Sequence, residues 1–176
     1  AIPVIERYLD DGEAALREHA LLALARMGDE GVARVRRRFL EAPPDRKREA
    51  AAVLAWQGAT DEDIVRVLLD AALTTKDWYD DEDTDAISWG PPVARILSKA
   101  DPSILPVVIA HAREHLPEGW AEEAERTGMI DGPPAHRAHE EILLAQGEKA
   151  RGLLEAIEED DSLHLWARGL LHHMSR

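Results

Sequence analysis

Apolar positions recur every three or four residues along most of this chain, the spacing that places them on one face of an α-helix. Leu16, Ala20, Leu24 and Met27 form one such stripe. Val32, Val35 and Phe39 form the next, and Ile64, Val67, Leu68 and Ala71 another. Stop and start signals separate them. Gly28 and Gly58 sit where a left-handed helix end is wanted, and glycine takes that conformation without a Cβ clash. Asp29 stands in position to cap the following helix, and Thr60 with Asp63 resembles a capping box.

The stripes repeat as well. Ala20 answers Ala50, Leu24 answers Leu54, Ala25 answers Ala55 and Gly28 answers Gly58. After a small insertion, Val32 answers Ile64 and Val35 answers Val67. The period of about 30 residues lies in the range of stacked supersecondary units. Two short antiparallel helices per repeat, tight glycine turns and an Ala/Leu-rich first helix resemble the HEAT-like repeat family of α-solenoids. Residues 14–75 carry the resemblance best. It implies an all-α right-handed superhelix with a concave binding surface. It implies no reaction, because function lives in sites and not in folds.

The remaining chain extends this pattern into one domain of 1–176. A lead helix is expected over 2–11, with Pro3 in its first turn. Four helix pairs are expected at about 13–42, 44–75, 86–116 and 134–159, and a closing helix, capped by Ser162, over 162–174. Asp101-Pro102 is a strong helix start, while Pro106 should delay or kink that helix. Two insertions interrupt the pairs, at 76–90 and 117–133. The second should hold a short helix from Gly119 to Thr127.

Composition narrows the function. No run of about 18 apolar residues occurs, so no membrane helix is expected. The N-terminal stretch AIPVIERYLDDG lacks the basic and apolar segments of a signal peptide. The chain has no cysteine, which removes disulfides, thiolate chemistry and cysteine-ligated metals and fits a cytoplasmic location. The net charge is −14. Residues 1–50 hold ten Lys/Arg and ten Asp/Glu, leaving 11 basic against 25 acidic residues afterwards. Such a surface favours a basic protein partner and repels nucleic acid and anionic lipid.

The one basic cluster, from Arg34 through Arg36, Arg37 and Arg38 to Arg46, Lys47 and Arg48, reads as a solvated face paired with nearby carboxylates rather than a phosphate grip. Five tryptophans stand beside one Phe and two Tyr. Trp56 and Trp166 fall in helices and read as packing. Trp78, Tyr79 and Trp89 surround the acids Asp80, Asp81, Glu82 and Asp83 of the first insertion, and Trp120 lies in the second. Large aromatics make good contact anchors, so these eight residues form the expected partner-binding edge. The alternation of Asp81, Asp83 and Asp85 fails as a calcium loop, since Ala86 replaces the turn glycine and Pro92 the bidentate Glu.

No catalytic residue, cofactor or metal is expected. Serines are few and lack a nucleophile motif, and no phosphate-cradling loop occurs. The metal candidates that remain are His111 with His115, four apart, and His136 with His139, three apart. They would converge only if helices 102–116 and 135–147 pack side by side. Otherwise they are exposed histidines on polar faces. The sequence therefore favours a non-enzymatic protein-binding module over two alternatives. One is an acidic inhibitor that mimics nucleic acid and neutralises a basic nucleic-acid-binding protein. The other is an enzyme, either a His-based metalloenzyme or a HEAT-like DNA glycosylase.

Overall fold

The computed structural model describes residues 1–74, 90–128, 132–157 and 161–176. Among these, eleven α-helices and three short 3-10 turns form an all-α architecture. None of the helices is long and apolar enough to cross a membrane. The chain divides into two compact units, Ala1–Leu68 and Leu69–Arg176.

In the N-terminal unit, α1 (Ile2–Glu6) runs into a 3-10 turn (Arg7–Asp10). Then follow α2 (Ala14–Ala25), α3 (Asp29–Glu41), α4 (Pro44–Trp56) and the first part of α5 (Glu62–Leu73). Helix α2 packs on both α3 and α4, so the first helices of the two pairs lie against each other. The matched positions behave alike. Leu24 and Leu54 are fully buried, and so are Ala20 and Ala50. Gly28 and Gly58 both adopt positive φ, 80° and 91°.

Three details differ from the sequence expectation. The buried face of α2 is Ala20, Leu21, Leu24 and Ala25, while Leu16 and Met27 are 40% exposed. A helix flanked by two neighbours buries a face turned toward both, not a single narrow stripe. Asp29 does not cap α3, since Gly28 holds the cap position. Asp29 and Glu30 instead occupy the first turn, where negative charge complements the helix dipole. Helices α3 and α5 begin at Asp29 and Glu62, one residue further apart than the Val32–Ile64 match implies, so Val35 corresponds to the buried Leu68.

One buried ion pair crosslinks this unit. Arg17 of α2 donates from Nε to Glu49 Oε2 at 3.0 Å and from Nη2 to Glu49 Oε1 at 2.5 Å. Glu49 is 4% exposed, and it helps burial push the carboxyl of Glu18 up. The basic cluster is engaged within the unit too. Arg34 pairs with Glu6 at 2.8 Å, Arg38 with Asp10 at 2.6 Å, and Arg36 donates to both carboxylate oxygens of Asp61 at 3.1 Å. The Arg36 hydrogen bonds hold the Asp61 carboxyl below its usual range.

The C-terminal unit holds the rest of α5, then α6 (Gly90–Leu97), a 3-10 turn (Pro102–Ile104), α7 (Leu105–Glu114) and α8 (Trp120–Thr127). A 3-10 turn (Pro134–His136) leads into α9 (Arg137–Gln146), followed by α10 (Glu148–Glu155) and α11 (His164–Met174). Helix α9 is the hub and packs against α6, α7, α10 and α11. Its Ala138, Ile142 and Leu143 are buried, and Gln146 Nε2 donates to the carbonyls of Ser98 and Ala100 beyond the end of α6. These bonds tie the end of α9 to the turn that follows α6.

The start signals before α7 read correctly. Asp101 accepts from Ser103 N at 2.9 Å, and the 3-10 turn delays α7 until Pro106 falls within its first two positions. There its missing N–H costs nothing. Ser162 does not cap α11: the N-cap is Leu163, with no side-chain cap bond, and Asp161 Oδ1 accepts from Leu163 N at 2.9 Å just ahead of the helix.

Candidate functional site

Helix α7 buries Leu105, Val108, Ile109 and Ala112 against its unit, and His111 falls on the same face. One turn later His115 closes the helix as its C-cap. Helix α9 packs beside α7 and buries His139 in the same way, and His136 ends the turn before it. The packing that would let the two pairs meet is therefore present. His111, His136 and His139 are not exposed on polar faces: they are 1%, 0% and 0% exposed. The reason is their neighbours, small or aliphatic residues such as Ala112, Ala138 and Ile142 on the inner faces of α7 and α9.

The four rings make a continuous row. His115 stacks on His111 with centroids 4.2 Å apart, His111 stacks on His139 at 5.2 Å, and His136 follows at 5.1 Å. His136 in turn meets the edge of Trp166 at 6.0 Å. Trp166 is buried and donates from Nε1 to Glu140 Oε1 at 2.8 Å.

Hydrogen bonds run along this row. His111 Nδ1 lies 3.0 Å from His139 Nε2, and His111 Nε2 lies 3.0 Å from Asp70 Oδ1. His115 Nδ1 donates to the His111 carbonyl at 2.9 Å, and His136 Nε2 donates to the Ala112 carbonyl at 2.9 Å. A carbonyl oxygen only accepts, so these last two contacts fix the proton on His115 Nδ1 and on His136 Nε2. Among the described residues, the buried Nδ1 atom of His136 has no hydrogen-bond partner. Burial holds the His136 imidazole below its usual range. Burial, reinforced by the charge that His136, His111 and His115 would carry, holds His139 down to about 2.

At the open end of the row, Asp70 joins His111 and His115. One ligand atom from each lies within 4.8 Å of the other two. His111 is buried, while the side chains of His115 and Asp70 are 39% and 61% exposed. Sequence reasoning missed Asp70. Its only signal is a lone acid in the otherwise apolar run Val67–Leu73 of α5, and nothing local ties it to α7.

The expected partner edge is placed less fully. Trp78, Tyr79, Asp80, Asp81, Glu82, Asp83 and Trp89 lie outside the described residues. Trp120, expected with them, is 7% exposed at the start of α8, a helix that packs against α11. Trp56, expected to pack, is instead 55% exposed at the end of α4. His172 and His173 are solvent-exposed, as their place near the chain end suggests. No family model matches this chain, and no curated protein or solved structure gives a significant match to it.

Proposed function

We propose that this chain is a protein-binding module of HEAT-like helix pairs whose partner is basic. The observation that carries the reading is the internal engagement of the basic cluster. Arg34, Arg36, Arg37 and Arg38 meet Glu6, Asp61 and Asp10 of their own unit, and Lys47 lies over the Phe39 ring at 5.6 Å. The acidic surplus of a chain with net charge −14 then dominates its field. A field of one sign raises the encounter rate with an opposite partner, while buried aromatics slow its release. The contact edge in this proposal is Trp78, Tyr79 and Trp89 with the acids Asp80, Asp81, Glu82 and Asp83.

The test is affinity capture from the native source at low and at moderate salt. A basic protein should be retained at low salt and released as salt rises. Trp78→Ala with Trp89→Ala should abolish its retention without changing the helical content. Unchanged retention by that double variant would sink the proposal. Competition by DNA would identify the partner as a nucleic-acid-binding protein, the inhibitor form of the same reading.

A further inference from the structure

We infer that Asp70, His111 and His115 form a binding site for one divalent transition-metal ion of the zinc class. The argument begins with protons. His115 gives its only neutral-state proton to the His111 carbonyl through Nδ1, so its Nε2 carries a lone pair. That lone pair faces the Asp70 carboxylate, with Nε2 3.9 Å from Oδ1. His111 Nε2 reaches the same oxygen at 3.0 Å. With neutral rings, the three side chains themselves bring at most one proton, on His111 Nε2, between an anionic carboxylate and a second nitrogen whose ring proton is held elsewhere. Electron-rich atoms gathered around too few protons are the environment a cation completes.

The dimensions suit a small transition ion. Ligand distances of about 2.0–2.2 Å set neighbouring donors in a tetrahedron roughly 3.3–3.6 Å apart. Two of the donor separations, 3.0 and 3.9 Å, lie on either side of that spacing and the third is within 4.8 Å, so binding requires the stacked His115 ring and the Asp70 carboxylate to rotate toward one point. Two imidazoles and one carboxylate suit zinc, cobalt, nickel or ferrous ions and not calcium or magnesium, which take oxygen ligands. The ring behind the site matters too. With a metal on His111 Nε2, the His111 proton sits on Nδ1 and donates to His139 Nε2 at 3.0 Å, which requires the His139 proton to sit on its own Nδ1. A metal-bound histidine ordinarily has such an acceptor on its other nitrogen, which fixes the ring. His115 has one as well, in the His111 carbonyl. Solvent reaches the site through Asp70 and His115, and three protein ligands leave a fourth position on that side for water or a partner's side chain.

The experiment uses the full chain, stripped with chelator and titrated with Co²⁺ under visible spectroscopy. A d–d band should grow to saturation at one equivalent, and one equivalent of Zn²⁺ should erase it. His115→Gln and Asp70→Asn should each weaken Co²⁺ binding by about 100-fold or more. Both side chains are partly exposed, so circular dichroism should show unchanged helix content. The double substitution His172→Gln/His173→Gln serves as the control and should leave the titration as it is. No saturable band in the unsubstituted chain would overturn the assignment. So would a band that survives both ligand substitutions, or one that vanishes with the His172/His173 control.

Discussion

His111 Nδ1 and His139 Nε2 face each other at 3.0 Å inside the C-terminal unit, and one proton must serve both. The contact joins α7 to α9 across 28 residues of sequence. Behind it, His136 directs its one neutral-state proton to the Ala112 carbonyl and leaves a buried lone pair on Nδ1.

That arrangement predicts acid sensitivity. Protonating His136 in the fold would place a charged N–H where no acceptor stands among the described residues, and burial keeps its pKa below the ordinary 6.5. The folded pKa of a base is thus lower than the unfolded one. The stability it contributes is fully present above pH 6.5 and is lost progressively as pH falls from 6.5 toward the folded value. Each such histidine makes unfolding easier by up to about 1.4 kcal/mol per pH unit in that window. Urea unfolding at pH 7.5, 6.5 and 5.5 should show this slope, and His136→Gln should reduce it. An unchanged slope would mean that His136 titrates normally in the fold.

Much of the helical punctuation was legible in the sequence because it is local. Gly28 and Gly58 end helices with positive φ, and Asp101-Pro102 opens one, each through chemistry within a few residues. The burial of the histidines was not legible. Arg113, Glu114 and Arg137 made their helix faces look polar, and the choice between faces was made by the packing of α7 on α9. Asp70 stands 41 residues from His111 and so had no sequence pattern to mark it. Trp56 was misread for the same reason: a helix assignment does not say which side a neighbour will cover.

Arg17 and Glu49 provide a second long-range link, with side chains 11% and 5% exposed. Glu49→Ala leaves a part-buried guanidinium with only the Asp11 and Gly12 carbonyls as partners and should cost about 1–3 kcal/mol. Arg17→Met combined with Glu49→Leu removes both charges and should recover most of that loss. Chemical denaturation of the three variants measures it. Equal losses for the single and double variants would show that shape, not charge pairing, decides the site.

Two glycines should respond in opposite directions to alanine. Gly31 lies where α3 meets α2, and a Cβ there would collide with the Leu24 carbonyl. Gly31→Ala must shift one helix and should destabilise by about 1–3 kcal/mol. Gly152 lies inside α10, and a Cβ there meets nothing within 4 Å. Gly152→Ala should stabilise by about 0.5–1 kcal/mol through lower unfolded-state entropy. Thermal unfolding distinguishes the two, and the same sign for both would mean that the close approach of α2 and α3 yields without cost.

The engagement of the basic cluster can be tested by releasing it. Glu6 holds Arg34 and Arg37, Asp10 holds Arg38, and Asp61 holds Arg36. These pairs are partly exposed and each is worth only about 0–1 kcal/mol, so Glu6→Gln, Asp10→Asn and Asp61→Asn together should leave the fold intact. The unsubstituted chain should pass through a heparin column at low salt, because its arginines face their own carboxylates and the remaining field is negative. The triple variant removes three carboxylates from four guanidinium groups, of which Arg34 keeps Glu30 and Arg38 the Leu9 carbonyl, and it should be retarded, then elute as salt screens the contact. Retention of the unsubstituted chain would mean that polyanions displace these carboxylates readily. The basic face would then be a binding surface in its own right, and the case for a basic partner would lose its footing.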